Sequence, residues 1–168
     1  MPKPLLHNAT LLERTDLAPT LAVFRIRADQ VPPLAEAWFE PGQYVALGLN
    51  HDAPELSSEQ RAFSMASEPE ERRWLEFYIR WVARPETNHP FTHLLWRMGP
   101  GERIHVGRRC TGRFTLRQTV GPDDPRIKFF VAAGTGLAPF MSIIRSQHRT
   151  GRSWSGPWVN SEVTTSPR

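Results

Sequence analysis

From Ala9 to Val106 the chain is a succession of short alternating apolar and polar stretches, each closed off by turn residues. Leu5-Leu6 and Ala9-Thr10-Leu11-Leu12 lead through Asp16-Leu17-Ala18-Pro19 into Thr20-Leu21-Ala22-Val23-Phe24-Arg25-Ile26-Arg27. Val31-Pro32-Pro33 is a loop, and Pro41-Gly42 is a turn set directly before a third strand over 43–47. Residues 60–67 and 75–82 read as the fourth and fifth strands with Glu68-Pro69-Glu70-Glu71 as their hairpin, and 102–106 as the sixth. Strands this short, divided by turn chemistry at this density, leave no room for the helical crossovers of a parallel sheet. They predict a mainly β protein, an antiparallel barrel or sandwich that residues 108–116 close.

One helix interrupts this pattern. Phe91, Leu94 and Leu95 in Asn88-His89-Pro90-Phe91-Thr92-His93-Leu94-Leu95-Trp96 have helical spacing, Pro90 suits a first turn, and Gly99-Pro100-Gly101 stops it. His89 and His93 stand four apart, yet Pro90 puts His89 at or before the helix start and no third ligand is in view, so no metal site is expected. The helix start is better suited to an anion.

Beyond Gly121-Pro122-Asp123-Asp124-Pro125 the pattern changes. Residues 127–133 are almost continuously apolar, as in a strand buried on both faces, and they run into Gly134-Thr135-Gly136-Leu137-Ala138-Pro139 and a helical stretch over 140–145. Strand, glycine turn and helix open a nucleotide-binding α/β unit, although Pro139 stands where a full fingerprint would have its third glycine.

Within the fourth strand, Arg61-Ala62-Phe63-Ser64 puts Arg61 and Phe63 on one face and Ala62 and Ser64 on the other. A guanidinium fork and an aromatic plane on one face are what a flat ring with a pyrophosphate tail requires. Alone, these four residues fit an amphipathic strand with an incidental arginine at least as well.

Composition narrows the function classes. No apolar run approaches the length of a membrane span, and the single cysteine, Cys110, rules out an internal disulfide framework, which points to a soluble, cytoplasmic protein. Cys110 reads as a structural thiol. A net charge of +4, arginine-rich, implies an acidic partner or only a compositional bias. The arginines are scattered and no RNA- or DNA-binding motif accompanies them, so a nucleic-acid role is set aside.

Arg61-Ala62-Phe63-Ser64, Leu75-Glu76-Phe77-Tyr78, Pro90-Phe91-Thr92 and Gly134-Thr135-Gly136-Leu137-Ala138-Pro139, in this order, resemble the ferredoxin-NADP reductase family, in particular its bacterial ferredoxin/flavodoxin reductases, over residues 9–147. The resemblance implies a six-stranded antiparallel FAD-binding barrel over 1–118, the first strand, turn and helix of an NADP(H)-binding domain over 119–150, and a disordered tail over 151–168. It assigns Arg61 to the FAD pyrophosphate, Phe63 to stacking on the isoalloxazine and Ser64 to the neighbourhood of flavin N5, and counts Ala62 among the cofactor-binding residues. Tyr78 would line the FAD, Pro90, Phe91 and Thr92 would meet its phosphates, and Thr135 would stand between flavin and nicotinamide. Ser64 and Thr135 are thus the catalytic candidates. Phe63 replaces the usual tyrosine, which keeps the stacking plane and removes a hydroxyl.

The implied activity is electron transfer between NADP(H) and an acidic one-electron carrier, ferredoxin or flavodoxin. A basic rim of Arg97, Arg103, Arg108, Arg109, Arg113 and Arg117 would steer that carrier. The chain's end departs from the family: the family module continues well beyond the glycine turn, whereas the last stretch here, residues 160–168, is polar with no apolar period, so the chain resembles a truncated or frameshifted reductase. The alternative is therefore a flavin-binding module without competent NADP(H) turnover. An uncovered sheet edge at 127–133 would favour self-association.

Overall fold

The computed structural model describes residues 4–34, 36–51, 57–83, 91–121, 124 and 126–151. Its centre is one antiparallel sheet of six strands: β1 (Ala9–Ala18), β2 (Leu21–Ala28), β3 (Tyr44–His51), β4 (Ser57–Ser64), β5 (Leu75–Arg80) and β6 (Arg103–Val106). They lie side by side in the order β4-β3-β6-β1-β2-β5. Met65, just past β4, bridges to Phe77 on β5, and the Ala66 amide donates to the Glu76 carbonyl at 2.7 Å. That junction brings the two outer strands together and closes the sheet into a barrel, as the family resemblance implies. The alternation along each strand explains what fills it. Phe24, Ile26, Val45, Leu47, Phe77 and Ile79 come from inward positions of β2, β3 and β5 and are essentially inaccessible.

The turn before β3 needs its glycine. Gly42 sits at φ +97°, where L side chains are strained, and a Cβ there would lie 1.9 Å from the Phe114 carbonyl oxygen. Helix α1 (Phe91–Arg97) packs against β3 and β4 and buries Phe91 and Leu95 in the barrel core. Arg14 fastens its far end, donating to the Trp96 carbonyl at 2.8 Å with its guanidinium 5.0 Å from the Trp96 ring.

Two expectations are corrected, the hairpin at 68–71 and the buried strand at 127–133. Glu68-Pro69-Glu70-Glu71 does connect β4 to β5, but not as a hairpin. β4 spends its ladder on β3, in register from Tyr44–Ser64 to His51–Ser57, and meets β5 at the single Met65–Phe77 bridge. Residues 108–116 close the β-rich part by one bridge, Tyr44 to Thr111, and are followed by the short helix α2 (Leu116–Thr119), whose N-cap Thr115 accepts from the Gln118 amide.

Residues 127–133 are not the strand buried on both faces that their apolar run predicts. Ile127, Phe129 and Val131 are 66%, 80% and 87% exposed. A parallel strand is defined by its neighbours, and among the described residues none pairs with this segment.

The glycine turn and helix that follow do form. Gly134–Gly136 is a 3₁₀ turn beginning at positive φ, and α3 (Leu137–Arg149) continues from it, longer at both ends than the apolar pattern indicates. Phe140 on α3 packs against Phe114 and Phe130 at 5.2 and 4.9 Å between ring centroids.

Candidate flavin site at the parting of two strands

Past the Met65–Phe77 bridge, β4 and β5 part instead of pairing, because β4 stays on β3 while β5 follows β2. Counting away from the bridge, Ser64 and Tyr78 are the first register positions on either side, then Phe63 and Ile79. Arg61 lies opposite Trp81. Arg61, Phe63, Ser64 and Tyr78 therefore flank the cleft between the parting strands, on both faces of the sheet.

On the inward face, Phe63 pairs with Val45 and Arg61 with Leu47, so ring and guanidinium share a side as the alternation predicts. Phe63 is partly buried, with its ring centroid 5.5 Å from that of Phe91 at the start of α1. Arg61 reaches outward: it donates to the Gln60 carbonyl at 2.8 Å and pairs with Glu59 at 3.1 Å, with its side chain half exposed. Both contacts are local, so the guanidinium keeps donors for an anion. The Thr92 hydroxyl accepts from the Val82 amide at 3.3 Å and still has its own proton to donate. That bond ties α1 to the end of β5, and a stack of Trp81 on His93, 4.8 Å between centroids and 14° between planes, reinforces it. The Val82 carbonyl lies 2.7 Å from His93 Nε2, so His93 has a structural place. Pro90, like His89, lies outside the described residues.

The outward face carries Ala62, Ser64 and Tyr78. Ala62 is exposed and Ser64 half-buried opposite Tyr44. Tyr78 does not share a face with Phe63. It is half-buried under α3, its hydroxyl 3.4 Å from Arg145, and burial pushes its phenol pKa up. Thr135, half-buried in the glycine turn, is brought near the same strand because that turn packs beside β5. Ser64, Tyr78 and Thr135 thus lie on the α3 side of the cleft, and Arg61, Phe63, Phe91 and Thr92 on the α1 side.

Sequence reasoning missed a polar joint beneath the cleft. Glu76, its side chain 5% exposed, accepts from Arg25 at 3.0 Å and from Arg145 at 2.8 Å. Ser146 donates to Glu70 at 2.9 Å, and Arg149 pairs with Glu68 at 3.0 Å. The available signal was a glutamate on the outward register of an otherwise apolar strand. A cavity of about 510 Å³ between the 126–131 segment and α3 is lined by Phe114, Phe130 and Phe140, and none of the residues of β4 or β5 borders it. Among the described residues no cluster of three metal-ligating side chains occurs, and no helix is long and apolar enough to cross a membrane.

A six-stranded antiparallel barrel followed by a glycine turn and a helix is the architecture of FAD-binding reductase domains. The structure aligns with a ferredoxin-NADP reductase from Neisseria gonorrhoeae, solved with bound FAD and NADP, at a TM-score of 0.61 and 24% identity over 86% of this chain and 52% of that one. In sequence the chain is similar to ferredoxin-NADP reductases. It is 36% identical over 107 residues to that of Azotobacter vinelandii and 38% identical over 107 residues to ferredoxin-NADP reductase A of Sorangium cellulosum. Each match covers 64% of this chain, and 37% and 34% of the respective relative, so the matched part is about a third of their length. No protein-family model matches the chain.

Proposed function

We propose that the chain is the FAD-binding part of a cytoplasmic ferredoxin-NADP reductase-type oxidoreductase, passing electrons between NADP(H) and a one-electron carrier protein. The observation that carries this is the pairing of Arg61 and Phe63 on one face of β4 where β4 and β5 part, with the start of α1 beside them. A half-open cleft with an aromatic wall and an arginine at its mouth fits a flat ring with a diphosphate tail. Bound there, FAD supplies the chemistry: it accepts a hydride and releases electrons singly. The protein's residues bind and orient. Arg61 and Thr92 would donate to the pyrophosphate, Phe63 would offer its ring to the isoalloxazine, and Ser64 would direct its hydroxyl to the edge where hydride arrives. Thr135 would flank the nicotinamide's approach. Residues 1–118 form the flavin domain in this reading, and 119–150 begin the nucleotide-binding one.

For the carrier, an acidic protein such as ferredoxin or flavodoxin fits Arg97, Arg108, Arg109 and Arg113, all exposed and without a salt bridge among the described residues. Arg103 and Arg117, expected in the same rim, are engaged by Asp29 and Glu40. Contact between copies of the chain through residues 127–131 is a further expectation, supported by the exposure of Ile127, Phe129 and Val131.

Titration with FAD, followed by flavin absorbance and fluorescence, tests the central reading. A charge-assisted contact contributes about 1.5 to 3 kcal/mol, so Arg61→Ala should raise the Kd by roughly one to two decades. Protein that stays colourless in excess FAD, or an Arg61→Ala variant that binds equally well, overturns it.

A further inference from the structure

We infer that Arg145 is a positioning residue for the flavin cleft: from α3 it pins the vertex at which β4 and β5 part. This rests on the flavin reading above. The vertex is a small junction, the Met65–Phe77 bridge and the Ala66 to Glu76 backbone bond, and beyond it the two strands make no further pairs. A junction held by so few backbone bonds leaves the opening between Ser64 and Tyr78 weakly fixed by the sheet itself.

Arg145 supplies the missing constraint. One Nη donates to the Ala66 carbonyl at 3.0 Å and to Glu76 at 2.8 Å, and the other lies 3.4 Å from the Tyr78 hydroxyl. Ala66 is two residues beyond Ser64, and Glu76 is two residues before Tyr78, so one planar guanidinium spans both sides of the cleft. Its fork geometry fixes direction as well as distance, which a lysine's single ammonium does not do. Glu76 is held from the other side by Arg25 at 3.0 Å, and Arg25 in turn by Glu13 at 2.9 Å. The vertex is therefore clamped from β2 and from α3 together.

The remaining contacts of α3 differ in kind. Ser146 and Arg149 grip Glu70, Glu68 and Glu71 of the β4–β5 connection, away from the cleft walls. They hold the helix to the barrel without touching the strands where these part. A role confined to docking α3 would make Arg145 and Arg149 equivalent, whereas a positioning role separates them.

The full-length chain carrying Arg145→Met, Arg145→Lys, Glu76→Gln or Arg149→Ala is titrated with FAD, the bound-flavin absorption spectrum is recorded, and thermal unfolding is measured without FAD. Arg145→Met is expected to weaken FAD roughly tenfold, the loss of about one charge-assisted contact. It should also blur the resolved shoulders of the bound-flavin band, because the ring is held less uniformly. Glu76→Gln should repeat this more weakly with the isosteric side chain in place, and Arg145→Lys should restore affinity only in part. Arg149→Ala is expected to lower the unfolding temperature and leave FAD affinity and spectrum unchanged. Arg145→Met and Glu76→Gln variants that bind FAD as the parent does, with the parent's spectrum, overturn the inference and leave the flavin reading standing. So does a loss of affinity that tracks unfolding temperature equally in Arg145→Met and Arg149→Ala. A parent chain that binds no FAD overturns both.

Discussion

Cys110 packs against the barrel core, and burial pushes its thiol pKa up to about 11. Only the thiolate attacks, so at neutral pH the native protein should react with an aromatic disulfide reagent far more slowly than the same chain in denaturant. The native rate should climb as pH approaches that value, and a fast stoichiometric reaction at pH 7 would contradict the burial. Single residues were legible from sequence where one local rule decided them. Arg61 and Phe63 share a face because strand alternation requires it, and Phe91 turns inward because helical spacing puts it with Leu95. Tyr78 was less legible: the same alternation put it opposite Phe77, but only tertiary packing places α3 and Arg145 over it. Glu76 as the hub of two arginines depends on contacts 51 and 69 residues away, for which no local pattern exists.

Elements followed the hydrophobic pattern closely where each could satisfy itself with its neighbours. All six strands and both longer helices stand where alternation and helical spacing put them, but β1 runs on through Asp16-Leu17-Ala18, which read as a turn, and other ends shift by three or four residues. The pattern failed where pairing, not propensity, decides the outcome. It gave β4 to β5, although β4 completes its ladder with β3, and it made a strand of 127–133 without a described partner. The element most exposed to mutation is the β4–β5 junction. Phe77 is fully buried there, and Phe77→Ala should cost about 3 to 5 kcal/mol, read as a lowered denaturant midpoint. Gly42→Ala should cost roughly 1 to 3 kcal/mol from backbone strain alone, before the clash with the Phe114 carbonyl is relieved. A neutral result at Gly42 would mean that the turn is not held as described.

At the scale of the whole molecule, charge supplements packing: α3 buries Ala138 and Ile143 and pairs Arg145 with Glu76 and Arg149 with Glu68, and further carboxylates are paired within the barrel part. Arg73 holds the Glu71 carboxyl, and Arg117 that of Glu40, below the usual carboxylate range. Carboxyls depressed in the folded state stabilise it above their unfolded pKa, and that stabilisation disappears as pH falls through their folded values. The unfolding temperature should therefore be steady through neutral pH and fall below about pH 4, where ordinary carboxylates protonate.

The other molecular-scale consequence concerns the side of the chain beyond the barrel. Ile127, Phe129 and Val131 alternate in sequence with the half-buried Lys128 and Phe130, and 66%, 80% and 87% of their surfaces lie in water. Large apolar side chains clustered in water are the kind of surface through which chains associate. The chain alone in solution should accordingly self-associate as its concentration rises, read by sedimentation velocity. Phe129→Asp puts a charge in the middle of that face at a position already open to water. It should keep the chain monomeric at concentrations where the parent associates, while the unfolding temperature and FAD affinity stay those of the parent. A parent chain that remains monomeric across the whole concentration range, or a Phe129→Asp variant that associates equally, would show that this face is not the contact.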